Sequence, residues 1–230
     1  MGLGQYIRDF SSMFFPNICQ ACGKLLNVKE DCFCTTCVHH FPYTNFHLQP
    51  DNTLAKQFWG RVNVSSASAF LYFNKGSKVQ NIVHQLKYNK QPQVGVAIGK
   101  LYAQELKQFP DYQNLDGIIP VPIHPHKIKK RGYNQSEQFA LGLAQVLNTP
   151  VCTDILYRTE ERESQATKNR IGRFENMQKV FNAVPANYAL ENVLLVDDTI
   201  TTGATLEACI MALQNIGIKN IHVLGIAFTQ

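Results

Sequence analysis

The run Val193-Leu194-Leu195-Val196-Asp197-Asp198-Thr199-Ile200-Thr201-Thr202-Gly203-Ala204-Thr205 constrains this chain more than any other segment. Four apolar residues in a row, with no polar alternation, suit a central strand of a parallel sheet covered on both faces. They end in two adjacent carboxylates, which are costly at a strand end unless a partner uses them. Vicinal hydroxyls of a ribose are such partners, because each donates a hydrogen bond to a carboxylate. The Thr/Gly loop that follows offers N–H groups and hydroxyls at the start of a helix, where the macrodipole favours an anion. Gly203 lets the backbone come close. Hydroxyl acceptors and a phosphate cradle a few residues apart describe a site for a ribose 5-phosphate. Helix capping alone accounts for single acids or threonines here, but not for the whole order.

The remaining pattern supports an α/β domain with a mainly parallel sheet. Residues 66–73 read as a strand, and Val79, Ile82, Val83 and Leu86 mark a helix over 77–89. A second helical period covers 93–109, a buried strand covers 116–121, and a helix runs from about Ser136 to Leu147. Short strands are expected near 151–156 and 179–183. The clearest unit is the last: strand 192–197, loop, helix 203–215, strand 220–228. Ligands of such sheets sit beyond the carboxyl ends of the strands.

Ahead of this domain, taken as 66–230, residues 43–65 show no period and read as a linker. Residues 1–16 place Tyr6, Ile7, Phe10, Met13 and Phe14 at helical spacing before Pro16, so a short amphipathic helix is expected. Arg8 and Asp9 interrupt it as a signal sequence, and no apolar run approaches the ~20 residues of a membrane helix. The expectation is a cytoplasmic protein with reduced thiols. A net charge of +5 permits an anionic partner without requiring one.

Between the two, residues 17–42 hold Cys19-x-x-Cys22 and Cys34-x-x-Cys37, and five of the seven cysteines lie between Cys19 and Cys37. Each pair lets two thiolates reach one ion. Four soft ligands favour a closed, structural Zn²⁺ site. Cys32 is a spare thiol that could replace Cys34 in this set. Cys152 and Cys209 read as packing residues.

A second loop, Pro120-Val121-Pro122-Ile123-His124-Pro125-His126-Lys127-Ile128-Lys129-Lys130-Arg131, follows the strand ending near Val121. Its three prolines are expected to exclude a helix. Its cations suit a polyanion, and the planar fork of Arg131 suits phosphate best.

LLVDDTITTGATL resembles the motif by which type I phosphoribosyltransferases bind 5-phosphoribosyl 1-diphosphate (PRPP). That resemblance implies that Asp197 and Asp198 contact the ribose hydroxyls while Thr199 and Thr201 through Thr205 surround the 5-phosphate. It makes Pro120, Val121, Pro122 and Arg131 the pyrophosphate loop, and Mg²⁺ the ion that accompanies PRPP. If turnover occurs, the two acids hold the sugar while charge develops on its ring. The stretch Arg-Gly-Tyr-Asn-Gln-Ser after the loop, Lys87-Tyr88, and Arg158 to Phe181 with Thr159, Gln165, Arg170 and Asn176 narrow the match. They closely resemble the ComF/GntX family, which also carries a four-cysteine zinc module. By that resemblance 158–181 is a loop closing over a ligand, against an ordinary exposed connection. The expected partners are PRPP or another ribose 5-phosphate compound, single-stranded DNA and the proteins of DNA uptake in natural competence. Phe33, Phe41, Tyr43 and Phe46 are either stacking faces for bases or a small core around the zinc. The sequence names no acceptor base, so an active phosphoribosyltransferase and a PRPP-binding regulator both stay open.

Overall fold

In the computed structural model, residues 17–159 and 180–229 are described. The expected N-terminal helix, and Gln165, Arg170 and Asn176 of the expected closing loop, lie outside them. In chain order the elements are α1 (Thr35–His39), α2 (Thr53–Lys56), β1 (Ser66–Tyr72), α3 (Lys78–Tyr88), α4 (Pro92–Leu106), β2 (Gly117–Pro120), α5 (Pro125–Arg131), α6 (Gln135–Leu147), β3 (Leu156–Arg158), β4 (Phe181–Ala183), β5 (Asn192–Ile200), α7 (Ala204–Asn215) and β6 (Asn220–Phe228).

Four strands form a sheet in the order β1-β6-β5-β2, with every pairing parallel. Alternation along the central strands divides the core. Leu194, Val196, Leu224 and Ile226 face α3, α4 and α6, while Val193, Leu195, Ile221 and Val223 face α2 and α7. Expected strands and helices of the domain are present. Only a bridge at Val151 joins the sheet near 151, and β3 pairs instead with β4 in a separate antiparallel ribbon.

The two neighbours of β5 end at different levels. β2 pairs with it from Gly117–Val193 to Pro120–Val196, whereas β6 stays paired as far as Ile200–Phe228. Asp197 and Asp198 therefore lie inside a strand rather than just past one, held on one side by β6. On the β2 side that strand is open, and this opening is where the site forms.

The proline-rich segment corrects one expectation: residues 125–131 are helical. Pro125 is the first residue of α5, where a missing N–H costs nothing and the fixed φ suits a helix. His124 caps it, its Nδ1 accepting from the His126 N–H at 3.1 Å. Residues 43–65 are also packed rather than a loose connector. Leu54, Ala55 and Phe58 are buried against the sheet. Asn52 caps α2 through its Oδ1 and donates from Nδ2 to the carbonyls of Phe46, Gln49 and Ala67. A one-turn helix is too short to show a period.

Helices α4 and α6 cross at Gly99 and Gly142, where a Cβ on either would overlap the backbone of the other helix. That close approach sets α6, and so the start of α6, against the end of β5.

Candidate functional site

The turn from β5 into α7 bounds a half-open pocket of about 40 Å³, lined by Asp197 and residues 199–206. At roughly 10–15 Å³ per enclosed water, that is room for a group of a few heavy atoms. Gly203 is the N-cap of α7 with φ +72°, and Phe58 packs beneath it. Thr201, Thr202 and Thr205 stay exposed at the rim. Asp197, Thr199 and Thr201 through Thr205 thus line one concavity, and Asp198 of the expected set is not among its lining residues.

The acids meet different partners. Asp197 Oδ1 accepts from Ser136 Oγ at 3.0 Å and from the Asp198 N–H at 2.8 Å. Burial, then the charge of Asp198, raises its carboxyl from 3.8 to about 7, against the opposing pull of the Asp198 N–H, the Ser136 hydroxyl and Lys87. Asp198 Oδ1 instead pairs with Lys87 Nζ at 3.0 Å. The same ammonium donates to Thr199 Oγ1 at 3.3 Å. Lys87 and Ser136 escaped the sequence reading as site residues, because nothing in their own segments ties them to β5. The apolar face of α3 and the Gly99–Gly142 crossing bring them there.

The expected pyrophosphate loop divides. Val121 is buried, its carbonyl accepting from Asn134 Nδ2 at 3.0 Å, so it shapes the turn. Pro120 closes β2, and Pro122 is half-buried. Arg131 Nη1 donates to Gln135 Oε1 at 2.8 Å, and its guanidinium lies over the Tyr88 ring at 5.7 Å. Tyr133 ties the loop to α3 by donating to the Leu86 carbonyl at 2.6 Å.

At the other end of the chain, the sulfurs of Cys19, Cys22, Cys34 and Cys37 all lie within 4.8 Å of one another. Cys22 and Cys34 are 3.8 Å apart, the edge of a tetrahedron whose Zn–S bonds are ~2.3 Å. Burial raises the Cys19 thiol, but N–H groups of Cys34, Cys22 and Ala21 outweigh it and bring it down to about 7. Cys34 N–H donates to that sulfur at 3.3 Å. Cys32 stands outside the cluster, its thiol raised to about 12 by burial, so the set contains Cys34. The four residues fit a structural zinc ion.

The aromatic residues around the cysteines pack inward. Phe33, Phe41 and Phe46 are buried. Phe33 meets Phe41 edge-on at 5.6 Å, and Tyr43 meets Phe70 of β1 at 5.1 Å. They form core, not a base-stacking face. Among the described residues no helix is long and apolar enough to cross a membrane.

Residues 133–227 match the family described as Phosphoribosyl transferase domain. Competence protein F of Haemophilus influenzae is 26% identical over 225 residues, 93% of this chain and 98% of that protein. Competence protein ComFC of Streptococcus pneumoniae is 24% identical over 213 residues, 88% of this chain and 90% of its own. DNA utilization protein YhgH of Escherichia coli (strain K12) is 24% identical over 211 residues, 90% of this chain and 88% of its own. The parallel sheet, with a phosphate-sized pocket at the end of β5, is a type I phosphoribosyltransferase fold.

Proposed function

We propose that this chain, a homologue of proteins named for competence and DNA utilization and built around a phosphoribosyl transferase domain, is a cytoplasmic PRPP-binding protein that handles single-stranded DNA during uptake. One observation carries the ligand: the pocket of residues 199–206 is continuous with Asp197, and Asp198 stands next to it under Lys87. The N–H groups and hydroxyls of Thr201 through Thr205 hold the 5-phosphate at the start of α7. Asp197 Oδ1 already accepts from Ser136 and from the Asp198 N–H, which leaves Oδ2 for a ribose hydroxyl. Asp198 takes the second hydroxyl. Thr199 fixes Lys87 rather than the phosphate.

Asp197 and Asp198 carry hard oxygen donors that would suit a Mg²⁺ ion brought with PRPP, and such an ion would offset the charge of the diphosphate. Zn²⁺ at the four cysteines has a structural role. For DNA, the exposed Lys127, Lys129 and Lys130 of α5 offer contacts to a phosphate backbone, on the helix whose last residue, Arg131, lies over Tyr88.

Calorimetry with PRPP and Mg²⁺ tests the ligand. Micromolar binding that is lost in Asp198→Asn supports the reading, and the absence of heat and of any thermal shift refutes it. Pyrophosphate release across a panel of bases then separates a transferase from a binding protein. Salt-sensitive oligonucleotide binding, lost when Lys127, Lys129 and Lys130 are changed to Ala, tests the DNA role.

A further inference from the structure

Seven residues close a circuit around the open edge of β5. Lys87 pairs with Asp198, Asp198 adjoins Asp197, Asp197 accepts from Ser136, and Ser136 adjoins Gln135. Gln135 accepts from Arg131, Arg131 lies over Tyr88, and Tyr88 adjoins Lys87. Chemistry divides this circuit in two. The Asp197 and Asp198 side offers acceptors, which suit hydroxyls. On the opposite side Gln135 Oε1 is already taken by Arg131, which leaves the Gln135 amide N–H groups and the Lys87 ammonium as donors.

Gln135 shows what the donor side lacks. The residue is fully buried, and its Nε2 finds no hydrogen-bond partner among the described residues. The orientation of that amide is fixed, because a guanidinium only donates and the oxygen must therefore face Arg131. A buried amide N–H without an acceptor is unfavourable, because its lost hydration is not replaced. Such a cost is tolerated where a ligand oxygen completes the group. Lys87 presents the same imbalance. Its ammonium neutralises Asp198, yet the hydroxyl of an incoming sugar competes for that same carboxylate.

We propose that Lys87 and Gln135 are specificity-determining residues that read the diphosphate end of the ligand, with Lys87 crossing from Asp198 to the diphosphate as the sugar binds. This rests on the ribose phosphate reading above and deepens it. The pocket of residues 199–206 takes a monophosphate in any ribose 5-phosphate; the donor side of the circuit distinguishes PRPP from ribose 5-phosphate.

The test is calorimetry of the full chain at constant Mg²⁺ with PRPP and, separately, ribose 5-phosphate. Gln135→Met should weaken PRPP at least ten-fold and leave ribose 5-phosphate within two-fold, and Lys87→Met should weaken PRPP at least ten-fold without weakening ribose 5-phosphate. Lys87→Arg should recover part of the loss. Equal weakening of both ligands, or unchanged PRPP binding, overturns the assignment while leaving the proposed function intact. Wild-type protein that binds neither compound overturns both. Thermal unfolding of each variant guards against a folding defect, and Gln135→Met, which strands no carboxylate, decides the matter if Lys87→Met does not fold.

Discussion

Arg61 and Glu207, 146 residues apart, form an ion pair that fastens the segment before β1 to the first turn of α7. Glu207 is 5% exposed at its side chain, and Arg61 is 35% exposed. The Arg61 N–H donates to the Phe58 carbonyl and the Glu207 N–H to the Gly203 carbonyl, so the pair adjoins the contact of Phe58 with Gly203. Removing Arg61 strands a buried carboxylate. Arg61→Ala should cost about 2 kcal/mol in urea unfolding, below the full penalty for a wholly buried pair because one partner is partly solvated. Arg61→Met with Glu207→Gln should recover most of that loss, and equal losses in both variants would contradict the account.

Gly203 is expected to accept no side chain. Its φ of +72° is strained for other residues, and an added Cβ would stand 3.2 Å from Phe58 Cε1. Gly203→Ala should lower stability by about 1–2 kcal/mol and weaken ribose 5-phosphate binding, since the same turn shapes the cradle. Thermal unfolding and calorimetry on one preparation report both effects.

Asp197 imposes a pH dependence. Burial and the neighbouring charge of Asp198 lift its carboxyl from 3.8 in the unfolded chain to about 7 in the folded one. Across that window the folded chain holds a proton that the unfolded chain has lost, so stability falls as pH rises and levels off above about 7. Asp197→Asn should match wild type near pH 4 and exceed it increasingly up to neutrality, as read by denaturant midpoints. PRPP affinity should move the other way in wild type, rising as the carboxylate ionises.

The cysteine cluster predicts a metal content near one zinc per chain by elemental analysis. Cys34→Ser should lose that ion, and Cys32→Ser should keep it, because Cys32 lies outside the cluster. Retention of metal by Cys34→Ser would reassign the ligands.

The sequence disclosed the sheet and the pocket better than their surroundings. Val193 through Val196 are apolar without alternation because both faces of β5 are covered, and the following threonines and Gly203 reveal the cradle for a similarly local reason. The three prolines predict no helix at α5, yet Pro125 stands at its first turn, the one place where proline does not break a helix. Phe58 and Arg61 carry no sign of their supporting role in the sequence, since the turns after α2 that hold them show no period and their partners lie far along the chain, Glu207 being 146 residues from Arg61. Lys87 belongs to the Lys87-Tyr88 pair that carries the family resemblance, but only tertiary packing shows that it faces Asp198.

The cysteines and the sheet share one interior. Cys19 and Cys37 belong to the same apolar cluster as Phe70, Leu71 and Ile82, and Asn81 of α3 donates to the Ala21 carbonyl at 3.0 Å. A chelator should therefore not peel away an independent appendage and leave an intact catalytic-type fold behind. Calorimetric melting of the holoprotein should show a single peak that shifts as one when the ion is withdrawn. Zinc supply would then govern how much of the proposed sugar-phosphate site is folded, although the four cysteines and that pocket share no residue.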